Sequence, residues 1–131
     1  MKVYLSGPIT HVEPAHWAWA TRAKNLLKGA GFEPVSPYDH KFPPSENPAN
    51  IVNHDIELIE GCSFILLNAE QPSWGAAMEI RIAFDLVIPV IGFGVGATQS
   101  PWLLAHTDAM LPTVDEAVKY LTKTVAEEAA E

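Results

Sequence analysis

Two acids in this chain occupy positions where acids are costly. Within PSWGAAMEIRIAFDL, at roughly 100° per residue, Gly75, Ala76, Ile82, Ala83 and Leu86 project within about 60° of Glu79, while Trp74, Met78, Arg81 and Asp85 lie on the far side. The carboxylate therefore points toward the expected core, where an ionised group loses its hydration unless something pairs with it. In ANIVNHDIELIEG the same geometry puts Ile51, Val52, Leu58 and Ile59 on the side of Asp55, with Asn50, Asn53, Glu57 and Glu60 opposite. A structural ion pair is short of cations: the only arginines are Arg22 and Arg81, and Arg81 faces away from Glu79 on its own helix. Two inward carboxylates suit chemistry at a sugar carbon, where one attacks or shields an oxocarbenium-like centre and the other manages a proton. A polar helix edge turned toward a solvent channel is the alternative.

Other side chains could join them. Tyr4 lies on the first apolar run with its hydroxyl able to reach such a site, or it is packing alone. Ser73 is either a plain helix N-cap or a binder of anions and hydroxyls, since a helix start offers free N–H groups. His11, His16, His40, His54 and His106 share no metal-ligand spacing and are read as solvated or packing residues, with His11 nearest a ligand. Trp17 and Trp74 are placed to stack on a base; Trp19 and Trp102 are assigned to packing. Cys62, without a second Cys or a His at ligand spacing, is a small buried hydrophobe. No metal or cofactor is implied.

The elements that must carry these residues alternate. KVYLSG is a strand, a helix follows from about Ala15 to Gly29, and FEPVSP supplies a second strand. The Pro-dense PYDHKFPPSENP is a long irregular loop that could form a lid. Pro48 opens a helix to about Glu60, SFILLN is a buried strand, QPS turns into the Glu79 helix, and IPVIGF is another buried strand. A short turn near Trp102, a weak strand at Ala109 to Leu111 and a last helix opened by Thr113 and Glu116 in capping-box spacing complete the chain. This predicts a three-layer αβα fold with a mostly parallel five-stranded sheet, flavodoxin-like or Rossmann-like. Ligands in such sheets collect at the carboxyl ends of the strands. That edge would carry the loop after the first strand and the QPS turn, so Ser6, Gly7, Pro8, Ile9, Ser73, Gly75 and Met78 are the expected substrate contacts.

At 131 residues one domain is expected, with a frayed acidic tail from about 125. Sixteen acidic against 8 basic residues, a net charge of −8, leave no basic stripe for polymeric DNA or RNA. The longest apolar tract, Ile82 to Ala97, is broken by Asp85, Pro89 and three glycines, so no membrane partner is expected. The start MKVYLSG reads as a strand rather than a signal segment, and the protein as cytoplasmic. The apolar, Gly-rich stretch from Gly94 to His106 is poorly explained as a lone surface loop and suggests a homo-oligomer.

From KVYLSGPIT through NHDIELIEGCSFILLN to PSWGAAMEIRIAF the chain resembles the nucleoside 2'-deoxyribosyltransferase family, together with relatives that hydrolyse the N-glycosidic bond of nucleoside 5'-monophosphates. PSxGxxxE is the most specific part. The resemblance implies that Glu79 is the nucleophile at C1', that Asp55 holds and protonates the base, and that Tyr4 orients Glu79. It implies transfer of deoxyribose from a deoxynucleoside to a free nucleobase, with a neighbouring subunit completing the site. Hydrolysis of deoxynucleoside monophosphates is the alternative, because those hydrolases resemble this chain in carrying a Ser where Ser73 stands. A module that senses nucleotides without chemistry is a third.

Overall fold

The structure, a computed structural model, describes residues 1–8, 15–94 and 100–130, with residues 15–17 described by backbone alone. Five strands, β1 (Lys2–Ser6), β2 (Glu33–Val35), β3 (Phe64–Asn68), β4 (Val90–Phe93) and β5 (Ala109–Leu111), pair entirely in parallel in the order β2-β1-β3-β4-β5. Between them run α1 (Ala15–Gly29), α2 (Pro48–Glu60), α3 (Trp74–Asp85) and α4 (Pro101–Ala105), and α5 (Val114–Ala130) follows β5. This is the expected three-layer α/β fold, in the flavodoxin-like strand order, whose switch point lies between β1 and β3.

Period-2 alternation along the central strands builds two cores. Val3, Leu5, Phe64 and Leu66 face α1 and α5, meeting Ala23, Leu27, Ala117, Val118 and Leu121. Tyr4, Ile65 and Leu67 face the other way, onto Ile59 of α2 and Ala76, Ile80 and Ala83 of α3. Tyr4, and two residues on Ser6, thus look into the layer that holds Asp55 and Glu79.

The helix starts follow their sequence signals. Asn47 accepts from Ala49 N at 3.0 Å ahead of Pro48, Ser73 accepts from Ala76 N at 3.2 Å, and Thr113 accepts from Glu116 N at 3.2 Å. Three positions differ from the periodic expectation, the first being Gly75, which is exposed in the first turn of α3. Leu86 is the exposed C-cap of α3, where helical geometry has ended, and Val52 of α2 is also exposed. The acidic tail, expected to fray, continues α5 as helix to Ala130, Ala and Glu being strong helix formers. Among the described residues no helix is long and apolar enough to cross a membrane.

Leu66 lies in the middle strand with 1% exposure and packs beneath α1 and α5. Leu66→Ala leaves a cavity there and is expected to lower the unfolding free energy by about 3 kcal/mol, read from the denaturant midpoint.

Candidate functional site

The site forms at the carboxyl ends of β1 and β3, where Gly7 and Pro8 face the turn into α3. Gly7 makes the convergence possible: a Cβ there would stand 2.7 Å from the Trp19 ring and 2.9 Å from Asn68 Cβ. Gly7, Pro8, Tyr38, Asp55, Gln71, Pro72, Ser73, Trp74, Gly75, Ala76 and Glu79 line a cavity of about 340 Å³. Glu79 and Asp55, from different helices, share it.

Glu79 is received by two hydroxyls. Tyr4 donates to Oε2, and Ser6 Oγ donates to Oε1 at 2.8 Å. Both donors are fully buried and sit on one face of β1 because they are two residues apart. Burial pushes the Glu79 carboxyl from 4.5 up to about 7; the Tyr4 and Ser6 bonds pull it down, and the nearby Asp55 charge adds to the rise. The Tyr4 phenol is pushed far above its ordinary value by burial and then by Glu79, so it remains a donor. Asp55, whose side chain is 24% exposed, is also raised, by desolvation against the opposing pull of His54, with His54 Nδ1 3.1 Å from Asp55 Oδ1.

Most of the expected contacts converge. Tyr4, Asp55 and Glu79 come together with Gly7, Pro8, Ser73 and Gly75. Ser6 does not contact the cavity through its side chain: one residue short of the loop, it is buried and its hydroxyl is engaged by Glu79. Met78 projects about 100° around α3 from Glu79 and lines an adjoining groove instead. Ile9 and His11 fall outside the described residues, as do the side chains of His16 and Trp17. Arg81 bonds Asp85 at 3.2 Å on the outer face of α3, consistent with its expected direction.

Sequence reasoning passed over Tyr38 and His54. Tyr38, on a 3-10 turn at Pro37–Asp39, donates to Gly7 O at 3.2 Å and walls the cavity. Its signal was an aromatic directly after Ser36-Pro37, where the N-capping Ser36 fixes the turn. His54 was adjacent to Asp55 in sequence, yet adjacent helical positions point about 100° apart, and only the structure shows their side chains meeting. Among the described residues no three His, Cys, Asp or Glu gather to hold a metal.

The adjoining groove, about 490 Å³, is walled by Leu67, Ala77, Met78, Trp102 and Leu103 and shares Gln71 to Trp74 and Ala76 with the first cavity. Its rim is unusually apolar for open surface, with Trp74 88%, Trp102 77% and Met78 66% exposed.

A family model described as Nucleoside 2-deoxyribosyltransferase matches residues 3–122. Similar solved structures include a 2-deoxyribosyltransferase from Bacillus psychrosaccharolyticus, 18% identical, TM-score 0.75, covering 90% of both chains. Another is the enzyme titled 2-desoxiribosyltransferase from Leishmania mexicana, 20% identical, TM-score 0.72, covering 93% of this chain and 97% of that one. The CMP N-glycosidase BcmB of Clostridium botulinum is 15% identical, TM-score 0.64, with coverage of 92% and 98%. No significant match to a curated protein sequence was found.

The raised Glu79 carboxyl has a signature in stability. The fold binds this proton more tightly than the unfolded chain does, so its contribution is intact below about pH 4.5 and is lost as pH rises through about 7. The full loss is roughly 3 kcal/mol. Glu79→Gln should therefore gain stability relative to wild type by up to that amount between pH 4 and pH 8, measured by chemical denaturation. Parallel curves for the two proteins would mean that Glu79 ionises normally.

Proposed function

The chain belongs to the nucleoside 2-deoxyribosyltransferase family, and on that premise we propose that it cleaves the N-glycosidic bond of 2'-deoxynucleosides through a covalent deoxyribosyl-Glu79 intermediate and passes the sugar to another nucleobase. The observation that carries this reading is the Glu79 carboxylate gripped by Tyr4 and Ser6 in a cavity shared with Asp55.

Each Glu79 oxygen accepts one hydroxyl and keeps a lone pair for attack. One oxygen bonds to C1' as the C1'–N bond breaks, the electron pair leaves with the base, and Asp55 delivers a proton to that base. A second base then attacks C1', returns its proton to Asp55 and frees Glu79. Tyr4 and Ser6 hold the carboxylate in one orientation throughout, so the attack starts from an ordered geometry. Since the nucleophile works ionised, turnover rises with pH through about 7. Gly7, Pro8, Ser73, Gly75 and Tyr38 shape the sugar pocket.

One feature favours a second reading, hydrolysis of a 5'-monophosphate. Ser73 caps α3 beside the cavity, and an uncharged hydroxyl at a helix N-terminus tolerates a phosphate that a carboxylate would repel. The nucleoside remains the preferred substrate, because Gly7, Pro8, Tyr38 and the turn into α3 bring no Lys or Arg to the cavity.

We assign the exposed Trp74, Met78 and Trp102 face to a second copy of this chain. Protruding indoles beside a largely apolar groove, whose one charged lining residue is Glu70, offer both knob and hole, the requirement for a self-complementary two-fold contact, and the groove adjoins the site that the copy would complete.

Incubation with a deoxynucleoside and a second free base is expected to yield the exchanged nucleoside, and Glu79→Ala to lose on the order of 1,000-fold or more in turnover. Free deoxyribose released at one rate with or without acceptor, or activity confined to monophosphates, would replace transfer by hydrolysis. Retained turnover in Glu79→Ala would remove the covalent route. Light scattering is expected to report an oligomer that Trp74→Glu splits; an active wild-type monomer would refute the shared face.

A further inference from the structure

We propose that His54 is the positioning residue of Asp55, and that the Pro-rich segment after β2 exists in part to hold the His54 ring in place. The proposal rests on the reading of Asp55 as the group that moves the base's proton. His54 and Asp55 are both half-buried on α2, and their contact at 3.1 Å requires the imidazole to lean along the helix toward its neighbour. A ring left free would sample other rotamers and lose that contact.

This ring is not free. His40 lies 4.9 Å from it, centroid to centroid, and Phe42 meets it edge-on at 5.2 Å, while His40 and Phe42 pack on each other at 4.5 Å. Three rings from two chain segments thus form a closed cluster, each pair within the range of favourable aromatic contact. Leu58, Val35 and Pro34 line a hollow together with two of the rings, His40 and His54. The stretch read from sequence as a lid is docked on α2 through this cluster.

The consequence for Asp55 is geometric and electrostatic. With Nδ1–H as donor, His54 engages Oδ1 and leaves Oδ2 as the oxygen that handles the base's proton. The bond stabilises the ionised carboxylate against the desolvation that opposes it. The charged and titratable groups around the pair are Glu79 of α3, Tyr4 of β1, Tyr38 and Asp39 of the 3-10 turn, and His40. Glu79, Tyr4 and Tyr38 all feel the Asp55 charge, and of these Glu79 is the one that titrates near neutrality, so a measurement of the His54 effect is made cleanest with Glu79 neutralised.

Two substitutions separate the ring from the donor. His54→Phe keeps a ring for His40 and Phe42 but removes the N–H; His54→Asn keeps an N–H near the position of Nδ1 but removes the ring. In a Glu79→Gln background, the Asp55 carboxyl is followed by 13C NMR against pH. His54→Phe is expected to move its titration to higher pH, and His54→Asn to return it toward that of the parent. With Glu79 present, His54→Phe is expected to lower kcat about 10- to 100-fold with KM little changed, and to carry the basic limb of the pH profile upward; His54→Asn recovers most of kcat. Phe42→Leu, which loosens the ring without touching the bond, is expected to fall between, and it stands in if His54→Phe does not fold. An unmoved Asp55 titration in His54→Phe or in Phe42→Leu overturns the proposal. A wild type inert on every N-glycoside overturns the reading of the reaction instead, and the NMR titration still decides the role of His54.

Discussion

The structure depends on holding an ionisable carboxyl at the end of an apolar layer. Glu79 occupies a position in α3 that by periodicity belongs to the core, beside Ala76, Ile80 and Ala83. Burial alone would keep it protonated, and hydroxyls alone would keep it ionised. Tyr4 and Ser6 bring the two tendencies close to balance, so the group titrates near neutrality. That balance requires β1 to present two hydroxyls on one face at a spacing of two, and α3 to begin at the right height on the sheet.

Both conditions follow from the topology. In the order β2-β1-β3-β4-β5, β1 and β3 are neighbours from which the chain departs in opposite directions, leaving a crevice at their carboxyl ends. Gly7 permits Trp19 and Asn68 to close against the strand end, and the Ser73 cap starts α3 directly after the turn from β3. The aliphatic strands supply rigidity: Leu5, Ile65, Leu66 and Leu67 are essentially inaccessible, so the hydroxyls project from a fixed platform.

Much of this was legible in the residues. Alternation of apolar runs with amphipathic stretches gave the order of the strands and α-helices, and Pro48 with the caps at Ser73 and Thr113 gave helix starts because each is a local signal. The inward direction of Glu79 came from periodicity alone. What escaped was non-local or short in range. Ser6 was expected to contact substrate because it stands where the KVYLSG run meets the loop, and nothing local shows that its hydroxyl turns inward to become a ligand of Glu79. Tyr38 and the His40–Phe42–His54 cluster join segments separated by a turn of irregular backbone, for which no periodicity exists to be read. Met78, which periodicity already turned away from Glu79, was nonetheless expected at the substrate, and it lines the adjoining groove instead.

The partition between the two hollows is a single turn of chain, Gln71 to Trp74, backed by Ala76. One surface of it touches the cavity of Glu79 and the other the exposed indole-rimmed groove. A wall only one residue thick has no separate inner and outer sequence, so the two compartments cannot be adjusted independently. A change at Ser73 or Trp74 that reshapes one side is transmitted to the other, and variation in this family member at those positions is constrained by both at once.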